Sequence, residues 1–166
     1  MIKKWKEIRR DVYKHSSFRS IVDVEYELPN GKKRVFSLKN EDTAVAVLAL
    51  DSFNNVILAK QYRPGPDHIL DELPGGGVHK GELPLEAIKR ELKEETGYES
   101  NDWRELGIPF ECAYSTITRH AFLATSCTKT GQSVLDDTEF IEVVKKPISD
   151  FFEQLLKGEC TDPEVA

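Results

Sequence analysis

Apolar and polar positions alternate from residue 21 to 28: Val22, Val24, Tyr26 and Leu28 fall on one side, Asp23, Glu25 and Glu27 on the other. A period of two predicts a half-buried strand. Asn30-Gly31 follows, then Val35-Phe36-Ser37-Leu38, and Asn-Gly between two strand-like runs predicts a hairpin. Residues 44–50 are continuously apolar and bounded by Asp51 and Asn54-Asn55, which predicts a buried strand. Val56-Ile57-Leu58-Ala59 reads as its antiparallel neighbour. Pro64-Gly65-Pro66-Asp67 predicts a loop, residues 69–73 a short strand, and Pro74-Gly75-Gly76-Gly77 the end of that strand.

Residues 85–96 change the period. Leu85, Ile88 and Leu92 form one apolar stripe, Pro84 suits a first helical turn and Gly97 the position just past the last. Weaker strands are expected over 103–110 and 120–124, and a further strand over 140–144. A closing helix is expected over 148–156, with Phe151, Phe152, Leu155 and Leu156 on its buried side. Residues 1–14 can be a first strand or an arm. No repeat or linker divides the 166 residues, so a single α+β domain is expected, with helices packed on a mixed, mostly antiparallel sheet.

Composition narrows the function classes. The chain is 39% hydrophobic and 31% charged, as a globular protein is. No apolar run approaches the roughly 18 residues of a membrane span. The charged start, Lys3-Lys4-Trp5-Lys6-Glu7, does not resemble a secretory signal. Cys112, Cys127 and Cys160 are widely spaced and odd in number, against a disulfide framework or a zinc site, so a reduced, cytoplasmic setting is expected. A net charge of -6 disfavours nucleic acid as a partner. A phosphate substrate stays open, because bound cations can supply positive field locally.

The chemistry concentrates at 76–98. A glycine run is followed by Glu82 and by a helix bearing Glu91, Glu94 and Glu95 on roughly one face. Like charges at this spacing repel unless a hard divalent cation draws them together, and carboxylates suit Mg²⁺ or Mn²⁺. An acidic helix face is also what an ordinary solvated surface looks like, with Arg90 and Glu94 as a plain i,i+4 pair. The spacing decides between them: Gly76, five residues, Glu82, seven residues, Arg90-Glu91, an aliphatic Leu92, one residue, Glu94-Glu95, one residue, Gly97, then Tyr98. Seven fixed identities at about 5–7% usage coincide at roughly 10⁻⁹ to 10⁻⁸ per starting position.

This pattern resembles the Nudix box, the signature of hydrolases that cleave a nucleoside diphosphate linked to another group. The resemblance implies an α/β/α sandwich and a loop–helix–loop that carries Mg²⁺. It implies Glu91 and Glu95 as metal ligands, joined by Glu94 and by the carbonyl of Gly75. It gives Gly76, Glu82, Arg90 and Gly97 structural parts, Arg90 orienting the acids and Glu82 bracing the loop. Upstream, Gln61-Tyr62-Arg63-Pro64 and Glu72-Leu73-Pro74-Gly75-Gly76 look like the QYR…ELPxG stretch of the ADP-ribose and nucleotide-sugar pyrophosphatases. That match implies Arg63 on substrate phosphate, Glu72 lining the substrate pocket, and Tyr62 or Phe53 as candidates to stack on a base. Downstream, residues 135–143 look like the subgroup's acidic loop, which implies Glu139, or else Asp137, as the group that handles the attacking water, with Glu94 a further catalytic candidate.

The expected reaction is Mg²⁺-dependent hydrolysis of a nucleoside diphosphate sugar to a nucleoside monophosphate and a sugar phosphate. Residues 110–116 lack the proline-rich turn that ADP-ribose-preferring members usually carry. Nucleoside triphosphates and dinucleoside polyphosphates therefore remain an alternative, and a non-catalytic nucleotide-sugar-binding regulator a second. Relatives exchange N-terminal strands, which implies a homodimer built on residues 1–40. Relatives also often continue past residues 158–162 into further helix.

Overall fold

The computed structural model describes residues 2–16 and 19–161, and the expected continuation beyond 162 lies outside them. The chain divides into two compact units, Met1–Asp42 with Phe110–Thr118, and Thr43–Pro109 with Arg119–Ala166.

The first unit is an antiparallel sheet of β1 (Lys6–Lys14), β2 (Ser20–Glu27) and β3 (Lys33–Asn40), in that order. The first segment is thus a strand. Val22 and Val24 are fully buried, as the alternation predicts. The Asn30-Gly31 turn closes with Leu28 N–H donating to the Lys32 carbonyl at 2.8 Å, and Gly31 takes φ 77°, which a side chain would resist. Trp5, Tyr26 and Phe36 form an aromatic cluster with centroids 5.2–6.1 Å apart. The 110–118 segment lies along β3, where Lys39 N–H donates to the Tyr114 carbonyl at 2.8 Å and Lys39 Nζ meets Glu111 at 2.7 Å.

The second unit is built around β4 (Ala44–Asp51). Its sheet runs β11 (Glu142–Pro147), β5 (Asn55–Arg63), β4, β10 (Arg119–Lys129), β8 (Tyr98–Glu99). On it β6 (His68–Glu72) pairs with β5, β7 (Gly75–Gly77) with β4, and β9 (Asp102–Gly107) with β10. Only β4 and β10 run parallel among these pairings. The helix α1 (Pro84–Thr96) packs Ala87, Ile88 and Leu92 with Val45, Val47, Ala49 and Phe122. The helix α2 (Ile148–Leu156) packs Phe151 with Ala46, Val56, Leu58 and Ala121. Successive β4 side chains therefore feed two different cores, so the strand is apolar throughout instead of alternating. This is the mixed-sheet sandwich that the sequence leads one to expect.

Three local expectations change. The glycine run does not merely end β6; Gly75–Gly77 forms its own strand, in register with Ala46, Val45 and Ala44. The strand expected over 140–144 starts at Glu142, and Phe140 is exposed, because a turn closed by Glu139 N–H on the Asp136 carbonyl precedes it. In α2, Phe152 is 48% and Leu156 81% exposed, while Phe151 and Gln154 are buried. At 100° per residue, 152 and 156 lie off the stripe that 148, 151 and 155 share. No helix among the described residues is long and apolar enough to cross a membrane.

Candidate active site

The glycine strand β7 lies on β4, and α1 follows it after a short loop. The helix has no side-chain N-cap; Pro84 opens it, and Gly97 ends it at φ 72° with its N–H on the Lys93 carbonyl at 2.8 Å. The last turn brings the acids back over the glycines. Gly75 N–H donates to Glu95 Oε2 at 3.0 Å. Gly76 faces Glu91 so closely that a Cβ there would sit 2.4 Å from Glu91 Oε1.

Arg90 ties the loop to the helix. Its Nε and Nη2 donate to the two oxygens of Glu82 at 3.0 and 3.1 Å, and Nη1 to Glu91 Oε1 at 2.8 Å and Glu94 Oε2 at 3.0 Å. Nη2 also reaches the Gly77 carbonyl at 3.1 Å. Glu82 in addition accepts His79 N–H at 2.9 Å. The Arg90 hydrogen bonds, with that backbone donor, hold the Glu82 carboxyl down at about 2. Every guanidinium nitrogen is engaged, which a lysine could not reproduce.

Glu95 and Glu91 are held in surroundings that disfavour their charge. Glu95 is 5% exposed. Burial, then the charges of Glu91 and Glu139, push its carboxyl up to about 8 against the opposing pull of the Gly75 N–H and Arg63. Burial likewise raises Glu91, despite Arg90. Among the described residues, no three His, Cys, Asp or Glu side chains converge as a ready-made metal cage. One oxygen each of Glu91, Glu94 and Glu95 nevertheless has no hydrogen-bond partner among the described residues. Three hard oxygen donors beside a carboxyl that burial disfavours as an anion fit a divalent cation of the Mg²⁺ class.

Arg63 and Glu72 form a second pair. Glu72 is 1% exposed, and Arg63 Nε donates to its Oε2 at 2.5 Å. The two terminal nitrogens of Arg63 make no hydrogen bond among the described residues. Glu72 Oε1 accepts the Thr161 hydroxyl, a contact with no signal in the sequence. Tyr62 does not join them: neighbours on a strand point to opposite faces, and its hydroxyl donates to Asp67 Oδ1 at 2.7 Å. Phe53 lies in the β4–β5 turn, at the other end of β4 from the glycine register. Of the two loop acids, Glu139 is the one whose charge adds to the rise at Glu91 and Glu95, after burial in both cases. Its carboxylate accepts Asp136 N–H at 3.0 Å. Asp137 is exposed and shows no such link.

A family model described as NUDIX domain matches residues 40–159. An ADP-ribose pyrophosphatase of Bacillus subtilis (strain 168) is 31% identical over 144 residues, 86% of this chain and 78% of that one. A methanol dehydrogenase activator of Bacillus methanolicus is 30% identical over 144 residues, 85% of this chain and 77% of its own. Among solved structures, an ADP compounds hydrolase superposes with a TM-score of 0.77 at 23% identity, over 95% of this chain and 85% of that one, a likeness of fold.

Proposed function

This chain belongs to the NUDIX domain family as one of its pyrophosphohydrolases, and we propose that its substrate is a nucleoside diphosphate sugar of the ADP-ribose type, split at the pyrophosphate into a nucleoside monophosphate and a sugar phosphate. The observation that carries the reading is that Glu91, Glu94 and Glu95 each keep an oxygen without a hydrogen-bond partner among the described residues, with Arg63 of the Arg63–Glu72 pair close enough for its charge to act on Glu95. Those three carboxylates, with the Gly75 carbonyl, would hold Mg²⁺ or Mn²⁺. Bound there, the cation would neutralise pyrophosphate charge and make water more acidic.

The chain's own residues supply the rest. Arg90 fixes Glu91 and Glu94, and the Gly75 N–H fixes Glu95. Arg63, held by Nε on Glu72, keeps two terminal nitrogens for substrate phosphate. Glu139 takes the proton of the attacking water, with Asp137 as the second candidate. A homodimer belongs to the same proposal. Among the described residues β1 has β2 alone beside it, and Val12, Tyr13 and Val35 on that sheet are exposed. A cytoplasmic location is part of it as well.

The test is turnover of ADP-ribose, ADP-glucose, UDP- and GDP-sugars, diadenosine polyphosphates and nucleoside triphosphates with Mg²⁺ or Mn²⁺, against an EDTA control. EDTA-sensitive release of a nucleoside monophosphate from a diphosphate sugar, lost in Glu95→Gln, is expected. Cleavage of triphosphates or dinucleoside polyphosphates alone refutes the substrate class. No turnover favours a regulatory role, for which the Bacillus methanolicus relative's name is the supporting observation.

A further inference from the structure

Glu72 is the least exposed carboxylate among the described residues, at 1%. A buried carboxylate needs donors on both oxygens. Arg63 serves Oε2, and Thr161, 89 residues along the chain, serves Oε1. What carries Thr161 there is the turn after α2. Gly158, at φ 75°, donates its N–H to the Leu155 carbonyl at 2.9 Å, and Glu159 N–H donates to the Gln154 carbonyl at 3.2 Å.

The turn is fastened by one side chain. Gln154 is 6% exposed in the otherwise apolar stripe of α2. Its Nε2 donates to the carbonyls of Asp71 and Glu159, both at 2.7 Å, and its Oε1 accepts Lys146 Nζ at 2.7 Å. Lys146 Nζ also pairs with Asp71 Oδ2 at 2.6 Å. Gln154 thus pins the tail to β6 at the residue before Glu72.

We propose that Gln154 and Thr161 are positioning residues for substrate binding, acting through Glu72 on Arg63. With the Thr161 hydroxyl on Oε1, Glu72 takes only Nε from Arg63, and both terminal nitrogens stay available to an anionic diphosphate. Without that hydroxyl, Oε1 becomes a buried acceptor lacking a donor. The nearest remedy is a two-pronged Arg63–Glu72 pair, which withdraws a terminal nitrogen from the substrate. The inference rests on the reading of Arg63 as the phosphate contact.

The test compares Thr161→Val, which keeps the shape and drops the hydroxyl, with Thr161→Ser, which keeps the hydroxyl. In Thr161→Val the KM for the diphosphate substrate rises about tenfold with kcat within about twofold, the split expected when ground-state and transition-state binding are lost equally. Thr161→Ser restores KM. In an Arg63→Gln background Thr161→Val adds less than about twofold, because the two act as one unit. A second readout needs no substrate: the ¹⁵Nε–¹H signal of Arg63, assigned by its loss in Arg63→Lys, shifts in Thr161→Val and returns in Thr161→Ser. Gln154→Leu shifts the same signal. An unchanged signal overturns the inference, as does a KM that stays put or a fall in kcat and melting temperature that serine does not rescue. Should the wild type turn over no diphosphate, the functional reading fails by itself, and the Arg63 signal still decides the positioning.

Discussion

Two adjacent glycines separate folding from chemistry. Alanine at Gly75 would place Cβ 2.2 Å from the Val45 carbonyl oxygen and 2.9 Å from Ala46 Cα, where ordinary contact begins at 3.4 Å. The obstacle is main chain of the strand that feeds both cores, so it cannot swing aside; β7 must leave β4. Such overpacking costs about 3 kcal/mol, and it also takes the N–H from Glu95. Alanine at Gly76 instead meets the tip of a side chain, at 2.4 Å from Glu91 Oε1 and 2.5 Å from its Cδ. Glu91 can move about 1 Å, which spares the fold but misplaces one of the carboxylates proposed to hold the cation, and misplacement on that scale costs about 10²-fold in rate. Gly77 has nothing within 4 Å and serves as the control. Urea unfolding and kcat/KM on the same preparations are the assays. Gly75→Ala should lose stability, Gly76→Ala activity with nearly native stability, and Gly77→Ala neither. Full activity in Gly76→Ala, or native stability in Gly75→Ala, would refute the reasoning.

Other outcomes follow from the same geometry. Asp51 is 7% exposed; burial raises its carboxyl, but donors on Asn55, Lys145 and the Phe53 N–H outweigh that and bring it from 3.8 to about 2. At roughly 1.4 kcal/mol per pH unit this contributes about 2 kcal/mol, present above pH 4 and lost as pH falls through 2. Urea titrations should therefore find Asp51→Asn destabilised at pH 7 and close to wild type near pH 2, and a pH-independent deficit contradicts this. Arg90→Lys cannot meet the acceptors on Glu82, Glu91, Glu94 and Gly77 together, and kcat/KM should drop 10- to 100-fold, on the order seen for outer-shell partners. Glu139→Gln should lower kcat at least about 100-fold and Asp137→Asn under about threefold; the reverse order in initial rates would move the proton-transfer role to Asp137.

What could be read from the chain is what is local. The apolar run of β4, the stripe and end signals of α1, and the spacing from Gly76 to Tyr98 all lie within a few turns of chain, and each appears where expected. The triplet Gly75–Gly77 escaped as a strand because glycine has no side chain to announce a face; only its register with β4 makes it one. The exposure of Phe152 and Leu156 went unread because the run Phe-Phe-Glu-Gln-Leu-Leu offers more apolar residues than one stripe can hold, and a glutamine took an inner place. The Thr161–Glu72 bond joins residues 89 apart and leaves no periodic trace.

The parallel pairing of β4 with β10 also sets an order of assembly. Val45 aligns with His120 and Leu48 with Leu123, so each rung spans about 75 residues of chain. Closing so long a loop carries an entropic charge that local pairings avoid. During synthesis β4, β5, β6, β7 and α1 can all leave the ribosome before the strand that completes one edge of β4. Until β10 arrives, Val47 and Ala49 lack the Phe122 and Ala124 they pack with, and a nascent chain halted near residue 115 would present a sticky, half-covered strand edge to its neighbours.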